Sequence, residues 1–498
     1  MSANEYDVII IGAGLGGLQC AYILAKHGQK VLVLEQDALL GGCLQTFRRD
    51  GHLFDTGFHY VGGLDNGQML HRLFDYFNLL DLPWHKLDPN FFDEVVISGQ
   101  SYRFVNGFDN FQDEMSRAFP ACKDGIATYV DLLRQVGKNI EHSFDPRSAD
   151  DVYQASLFAR SAYDFLTQCA PDPRLHAVLS GTSLKLELQP ATLPLYIFGQ
   201  INSSFIQSAY RIHGGGMQIA DTLASHIESM GGRVIRRSRV TAFENTDGLA
   251  SAVFVNNGQQ RFSARYFIAD THPAVAVNLL HEAGLVRKIY NKRISNLQNT
   301  FGMLTVNIVL RPNSLSYLNR NVYIYPDNNV WNIASNLSAT SVPAALVSFA
   351  PPPAGQTYAS VVDVLVPMDW TSVSQWFGTK IGDRGNDYVE FKDSFAHKAI
   401  DFVSQHIAGF ASAVDKYYVS TPLTYADYTS TASGSAYGIR KDYNQTMYTI
   451  LTPKTPVPNV FLTGQNLNLH GVLGTSMTSF FSAAEILGMD TVRADLNR

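Results

Sequence analysis

The chain has 498 residues, too many for one core of ordinary size, so two or three domains are expected. Hydrophobic residues make up 46% and charged residues 16%, a balance that supports a large core and excludes a disordered chain. The net charge of −6, with no long basic run, leaves nucleic-acid binding without electrostatic support.

Asp7 to Ile11 is a short apolar run that reads as a strand. It begins so close to Met1 that no signal peptide is expected. Gly12-Ala13-Gly14-Leu15-Gly16-Gly17 follows, then a helical pattern to His27, a stop at Gly28, and a strand from Lys30 to Leu34 closing at Glu35. Residues 67–210 read as mostly helical and irregular, with Val130, Leu132, Leu133 and Val136, and then Tyr163, Leu166 and Thr167, at helical spacing as core stripes. Gln189 to Tyr210 carries no charge but is broken by Pro190 and Pro194, so it reads as a buried or membrane-facing lining, either ordinary core or the wall of an apolar tunnel. Tyr196, Phe198, Phe205 and Tyr210 would be its aromatics, in a chain with 30 Phe and 24 Tyr.

A second regular block opens at Gly214-Gly215-Gly216. It reads as a helix from Met217 to Met230, strands at Arg233 to Ile235, Val240 to Phe243 and Ala252 to Val255, a turn at Asn256-Asn257-Gly258, and a strand from Ala264 to Asp270. From Gly302 to Tyr428 the chain is β-rich, with strands at Thr305 to Leu310 and Val361 to Val366 and a helix near Phe391 to Ile407. Asn459 to Met489 reads as strand, loop and long helix. No stretch approaches the roughly 18 consecutive apolar residues of a membrane span. Cys20, Cys43, Cys122 and Cys169 are widely spaced and read as reduced thiols, and no His/Cys spacing suggests a metal.

The pattern Gly12, Gly14, Gly17 after a strand and before a helix has a specific physics. Gly12 permits the tight turn, Gly14 lets backbone approach a pyrophosphate, and Gly17 lets helix and strand pack closely. The helix start at Leu15 and Gly16 offers free amides and a positive dipole end. Glu35, followed by Gln36, stands where an acid accepts a ribose diol and repels a 2′-phosphate. Gly41-Gly42 resembles the second glycine pair of glutathione-reductase-like flavoproteins, which lets the chain pass beside the ribityl and pyrophosphate and which NAD dehydrogenases usually lack; Arg48 is either a pyrophosphate partner or a solvated arginine. Thr455 to Ala484 contains no Asp, Glu, Lys or Arg. Within it Gly464-Gln465 resembles the turn that touches the ribityl chain, and Gly471, Val472 and Gly474 the start of a helix aimed at the flavin pyrimidine. Val240 completes the cofactor set.

These features predict an α/β fold: a Rossmann-type FAD-binding domain like that of glutathione reductase, with a discontinuous α+β substrate domain. Residues 1–66, 211–300 and 440–498 would form the first, and 67–210 and 301–439 the second, with mixed sheet and helices. No second G-x-G-x-x-G follows a strand, so no dedicated NADPH domain is expected.

The sequence resembles the phytoene desaturase, carotenoid isomerase and retinol saturase family over nearly its whole length. The resemblance is carried by Gly12 to Gly17 with Glu35 and Gly41-Gly42, and by Asp55-Thr56-Gly57-Phe58-His59-Tyr60-Val61-Gly62. Gly214-Gly215-Gly216-Met217, Thr421-Pro422, Gly434-Ser435-Ala436-Tyr437-Gly438 and Thr463-Gly464-Gln465 add to it. Asp55 to Gly62 is similar to the retinol saturase branch, whereas Asn466 to Leu469 departs from the family pattern. The resemblance implies hydride transfer between flavin N5 and a C–C or C=C bond of a long apolar polyene, in a saturase, desaturase or isomerase. His59, Tyr60 and His470 are the candidate catalytic side chains, and no metal is needed. The expected partner is an apolar small molecule, in a cytoplasmic protein for which contact with a membrane surface stays open. Two alternatives are an amine-oxidase-like flavoenzyme and a non-catalytic prenyl-binding protein of the GDP-dissociation-inhibitor type. The intact glycine turn and Glu35 speak against the latter.

Overall fold

The structure, a computed structural model, describes residues 5–141, 143, 144 and 151–497. The apolar runs Val8 to Ile11 and Val31 to Leu34 are buried at every position, as parallel strands covered on both faces must be. They form the middle of a seven-stranded sheet ordered Arg233–Ile235, Val31–Leu34, Glu5–Ile11, Gln260–Ala269, Leu249–Val255, Val240–Thr246, with Val460–Leu462 also on Gln260–Ala269. Gln260–Ala269 changes partners along its length. Its first residues pair antiparallel with Leu249–Val255, its body runs parallel to Glu5–Ile11, and its last three residues run parallel to Val460–Leu462. The helix Leu15–Lys26 packs between Met217–Ser229 and Gly471–Leu487.

A second seven-stranded sheet is ordered Val414–Ser420, Gly302–Leu310, Val361–Met368, Ala345–Phe349, Asn321–Tyr325, Asp93–Ile97, Gln100–Phe104. It is antiparallel except between Asn321–Tyr325 and Asp93–Ile97. Successive side chains alternate faces. Leu304, Val306, Ile308, Val362, Val364 and Val366 enter a core shared with the helix Asn386–Ser404. Met303, Tyr323, Leu346 and Leu365 point the other way, toward the first sheet's helices. A small sheet of Val61–Gly62, Ala209–Ile212 and Trp84–Lys86 lies between them.

Two readings change. Residues 67–210 are not only helical and irregular: Asp93–Ile97 and Gln100–Phe104 form a hairpin that extends the second sheet. Ser98 and Gly99, with φ of 51° and 76°, make the two-residue turn whose twist matches paired strands. The helix placed at Phe391 to Ile407 spans Asn386–Ser404, because Gly385 and the first-turn acid Asp387 start it earlier. The turn at Asn256-Asn257-Gly258 joins Leu249–Val255 to Gln260–Ala269, and all three residues have positive φ. The four cysteines are free thiols, and among the described residues no cluster could hold a metal and no helix is long and apolar enough to cross a membrane.

Candidate cofactor and substrate cavity

Gly12 has φ of 101°, and a Cβ there would lie 2.5 Å from the Asp270 carbonyl oxygen. A Cβ on Gly17 would lie 2.3 Å from the Gly12 carbonyl oxygen, so helix and strand touch only because both are glycine. The helix Leu15–Lys26 opens at Gly14, which has no side chain to cap it, and faces the cavity with its positive end. Glu35 is buried at the end of the neighbouring strand. Its carboxylate accepts hydrogen bonds from the Ala13 amide at 2.8 Å and the Asp37 amide at 2.9 Å, and burial raises its pKa. The Gly41 amide donates to the Ala13 carbonyl at 2.8 Å, bringing the second glycine pair beside the first turn.

A cavity of about 940 Å³ runs from this turn to the second sheet. Its wall includes Gly12, Gly14, Leu15, Gly16, Glu35, Gln36, Gly41, Gly42, Val240, Gly464, Gln465, Gly471 and Val472 from the cofactor set, with His59, Tyr60 and His470. Gly17 and Gly474 stand behind that wall. Gly474 packs in the first turn of its helix, where a Cβ would lie 2.5 Å from the Leu469 side chain. Arg48 is the solvated arginine of its two readings: it is exposed on the hairpin Thr46–Arg49/His52–Asp55, and its guanidinium donates to the Gly51 carbonyl at 3.3 Å, away from the cavity. The uncharged stretch Gln189 to Tyr210 divides. Gln200, Ile201, Ser204 and Phe205 reach the cavity from the helix Leu195–Gln207, whereas Tyr196 and Phe198 pack in the core. Tyr210 instead donates to Asp65 at 2.5 Å. Met303, Leu346 and Leu365 supply the facing apolar wall.

Asp270, which the sequence reading placed only as a strand end, lies at the base of the glycine turn. Its carboxylate accepts from the Gly17 amide at 2.8 Å, and Cβ atoms on Gly14 and Gly464 would come within 2.6 and 2.3 Å of its oxygens. Burial, with Glu35 nearby adding to it, pushes its pKa up to about 7. The available signal was an acid just past an apolar strand, at the carboxyl edge of a parallel sheet where ligands gather.

At the second sheet the polar groups form two clusters. His59 Nδ1 lies 3.8 Å from Asp363, its Nε2 is buried without a partner, and burial lowers its pKa to about 4. Asp363 accepts from Asn307 at 2.6 Å, and Asp55 from the Gly216 amide at 2.7 Å; burial raises each to about 7. In the second cluster the Tyr60 hydroxyl donates to Asp93 at 2.8 Å, lies 2.5 Å from the Tyr323 hydroxyl, and accepts from Lys185 Nζ at 2.9 Å. His470 Nε2 lies 3.0 Å from the Lys185 carbonyl, and burial lowers its pKa to about 4. Lys185, Asp93, Asp363 and Asp270 were not singled out in sequence, because nothing local marks a residue whose partners lie on other elements.

Residues 10–77 match the family described as an NAD(P)-binding Rossmann-like domain. The chain is 28% identical over 514 residues to an all-trans-retinol 13,14-reductase of Danio rerio, covering 95% of this chain and 84% of the relative. It is 26% identical over 283 residues to prolycopene isomerase 2, chloroplastic, of an Oncidium hybrid cultivar, covering 52% of this chain and 47% of that one. Among solved structures, putrescine oxidase bound to putrescine shares the fold, with a TM-score of 0.63 at 18% identity over 97% of this chain and 99% of that one. By sequence the chain is therefore a relative of the all-trans-retinol 13,14-reductases and prolycopene isomerases, the group that its motifs resemble.

Proposed function

We propose that the chain is an FAD-dependent oxidoreductase that moves hydride between flavin N5 and a C–C or C=C bond of a long apolar polyene. One observation carries the reading: a single cavity joins the glycine turn and Glu35 to an apolar chamber walled by Ile201, Phe205, Met303, Leu346 and Leu365. The residues fit the cofactor. Two helix starts face the cavity, at Gly14 and at His470, neither of which supplies a capping side chain of its own, and two buried wall atoms, His59 Nε2 and Gln200 Oε1, have no partner. Amides of the first turn would hold the pyrophosphate, Glu35 the ribose diol, and the helix Gly471–Leu487 would set its positive end beside the flavin pyrimidine. Bound flavin supplies the hydride chemistry, while the chain orients the substrate and excludes water. The relatives named for retinol and prolycopene point to the same substrate class. We place the protein in the cytoplasm, taking its apolar substrate up from a lipid surface.

A second reading, oxidation of an amine, draws on Lys185, whose Nζ stands among the rings of Tyr60, Phe205 and Tyr323 at the cavity wall. One anaerobic experiment separates the readings. The purified protein is expected to be yellow and to release flavin on denaturation. Photoreduced protein reoxidised by a polyene supports saturation, and oxidised protein bleached by a polyene supports desaturation. Bleaching by amines alone favours the second reading. A colourless chain that takes up no flavin from excess FAD defeats both.

A further inference from the structure

We propose that Lys185 is the proton donor of this site: its ammonium protonates the substrate carbon adjacent to the one that receives hydride. The inference deepens the oxidoreductase reading above and rests on it. In the saturating direction one alkene carbon gains hydride from reduced flavin, which leaves oxidised. The neighbouring carbon forms its new C–H bond with a proton from Nζ as the π bond is consumed. The N–H electron pair stays on nitrogen, and water restores the ammonium.

The tyrosine hydroxyls of the chamber are committed. The Tyr60 proton goes to Asp93, the Tyr437 hydroxyl donates to the Leu184 carbonyl, and the Tyr425 hydroxyl to the Thr56 carbonyl. His59 and His470 are neutral at physiological pH, since burial holds both near 4. Lys185 differs. It ends the short helical turn Ser183–Lys185, its side chain is 10% exposed, and that exposure is toward the cavity. One N–H goes to Tyr60 at 2.9 Å, and the nitrogen lies 4.0 Å from the Phe205 ring centre. Asp93 and the Phe205 ring face its other sides, and the nitrogen stays on the cavity wall.

Its charge is held loosely. Asp93 lies 3.7 Å away and is shared, because its other oxygen accepts from Asn321 at 2.8 Å, and Asn321 in turn accepts from the buried Arg211 at 2.7 Å. One carboxylate thus serves two cations in an apolar surround. Tyr60, Tyr323 and Asp93 face the ammonium from neighbouring elements, and His470 faces its backbone. Burial lowers the Lys185 pKa to about 8, so the group is charged at neutral pH yet gives up its proton more readily than an ordinary lysine. Tyr60 and Asp93 act as positioning residues.

The test compares wild-type flavoprotein with Lys185→Met and Lys185→Arg. The readouts are flavin per chain, polyene binding by quenching of flavin fluorescence, and reoxidation of photoreduced protein by an all-trans polyene from pH 6 to 10 in H2O and D2O. Wild-type reoxidation should slow above about pH 8 and show a solvent isotope effect. Lys185→Met should keep flavin and polyene binding, slow reoxidation by about 10²- to 10⁴-fold, and lose the alkaline limb. Lys185→Arg keeps a cation on Tyr60 and Asp93 and is expected to fold even where the methionine variant does not. It holds its proton to much higher pH, so it should also be slow with the limb displaced upward. Either variant running within threefold of wild type with an unchanged pH profile overturns the assignment alone. A wild-type flavoprotein that no polyene reoxidises overturns the assignment, and the oxidoreductase reading falls with it only if no polyene bleaches the oxidised protein either.

Discussion

Asp270 puts a carboxylate at the base of the turn where a pyrophosphate would settle, and its charge sets a pH dependence there. Its native pKa, about 7, is raised above the ordinary 3.8, so the folded chain binds this proton more tightly than the unfolded one. The stabilisation is full below the unfolded value and is lost as pH rises through about 7. Asp270→Asn should therefore flatten the fall in apo-protein melting temperature between pH 5 and 8. Asp55 and Asp363 leave a residual slope of the same sign. The same charge opposes phosphate. FAD affinity of the wild type should weaken about tenfold or more from pH 6 to 8, and that of the variant far less, as calorimetric titration would read. Gly14→Val has a different cause. Its Cβ would fall 2.6 Å from the Asp270 carboxylate and fill the approach to the turn, so flavin per chain, measured by absorbance, should drop to near zero.

The second sheet depends on strands whose two faces do different work. Ile308 is fully buried against the helix-covered core, so Ile308→Ala should cost about 2–5 kcal/mol in urea unfolding while leaving the cavity wall intact. Gly99, at φ of 76°, turns the hairpin that adds Asp93–Ile97 and Gln100–Phe104 to the sheet. A β-branched Gly99→Val should cost about 1–2 kcal/mol by the same measurement, because a side chain crowds the left-handed conformation. It should also weaken polyene binding, since the strand it anchors carries Asp93, the partner of Tyr60 and Lys185. Strands such as Thr305 to Leu310 were legible as apolar β-branched runs. The Ser98-Gly99 hairpin has a weaker local signal, because its flanks, DEVVI and QSYRF, are short and carry charge among the apolar residues.

For the molecule as a whole, the cavity is the seam between two sheets, and a ligand that fills it ties them together. FAD at about 100 times its dissociation constant should stabilise the native state by about 2.7 kcal/mol, seen as a rise in melting temperature that Gly14→Val abolishes. The chain fixes the first sheet locally. A strand, a glycine turn, a helix and an acid within about thirty residues leave few geometries open, so Gly12, Gly14 and Glu35 could be placed without coordinates. The uncharged run from Thr455 to Ala484 also announced itself, since so long a stretch without charge belongs mostly inside, as the helix Gly471–Leu487 is from Leu473 to Phe480. The chemistry of the chamber had no such local signature. Lys185, Asp93 and Tyr323 are ordinary residues in sequence, and only the folding of a hairpin, a helical turn and a distant strand onto one another brings them within hydrogen-bonding reach of Tyr60. Local pattern determines how the backbone turns and what it buries. Which polar groups lose water together, and so which proton can move, depends on contacts between residues far apart in the chain, and only the tertiary structure decides those.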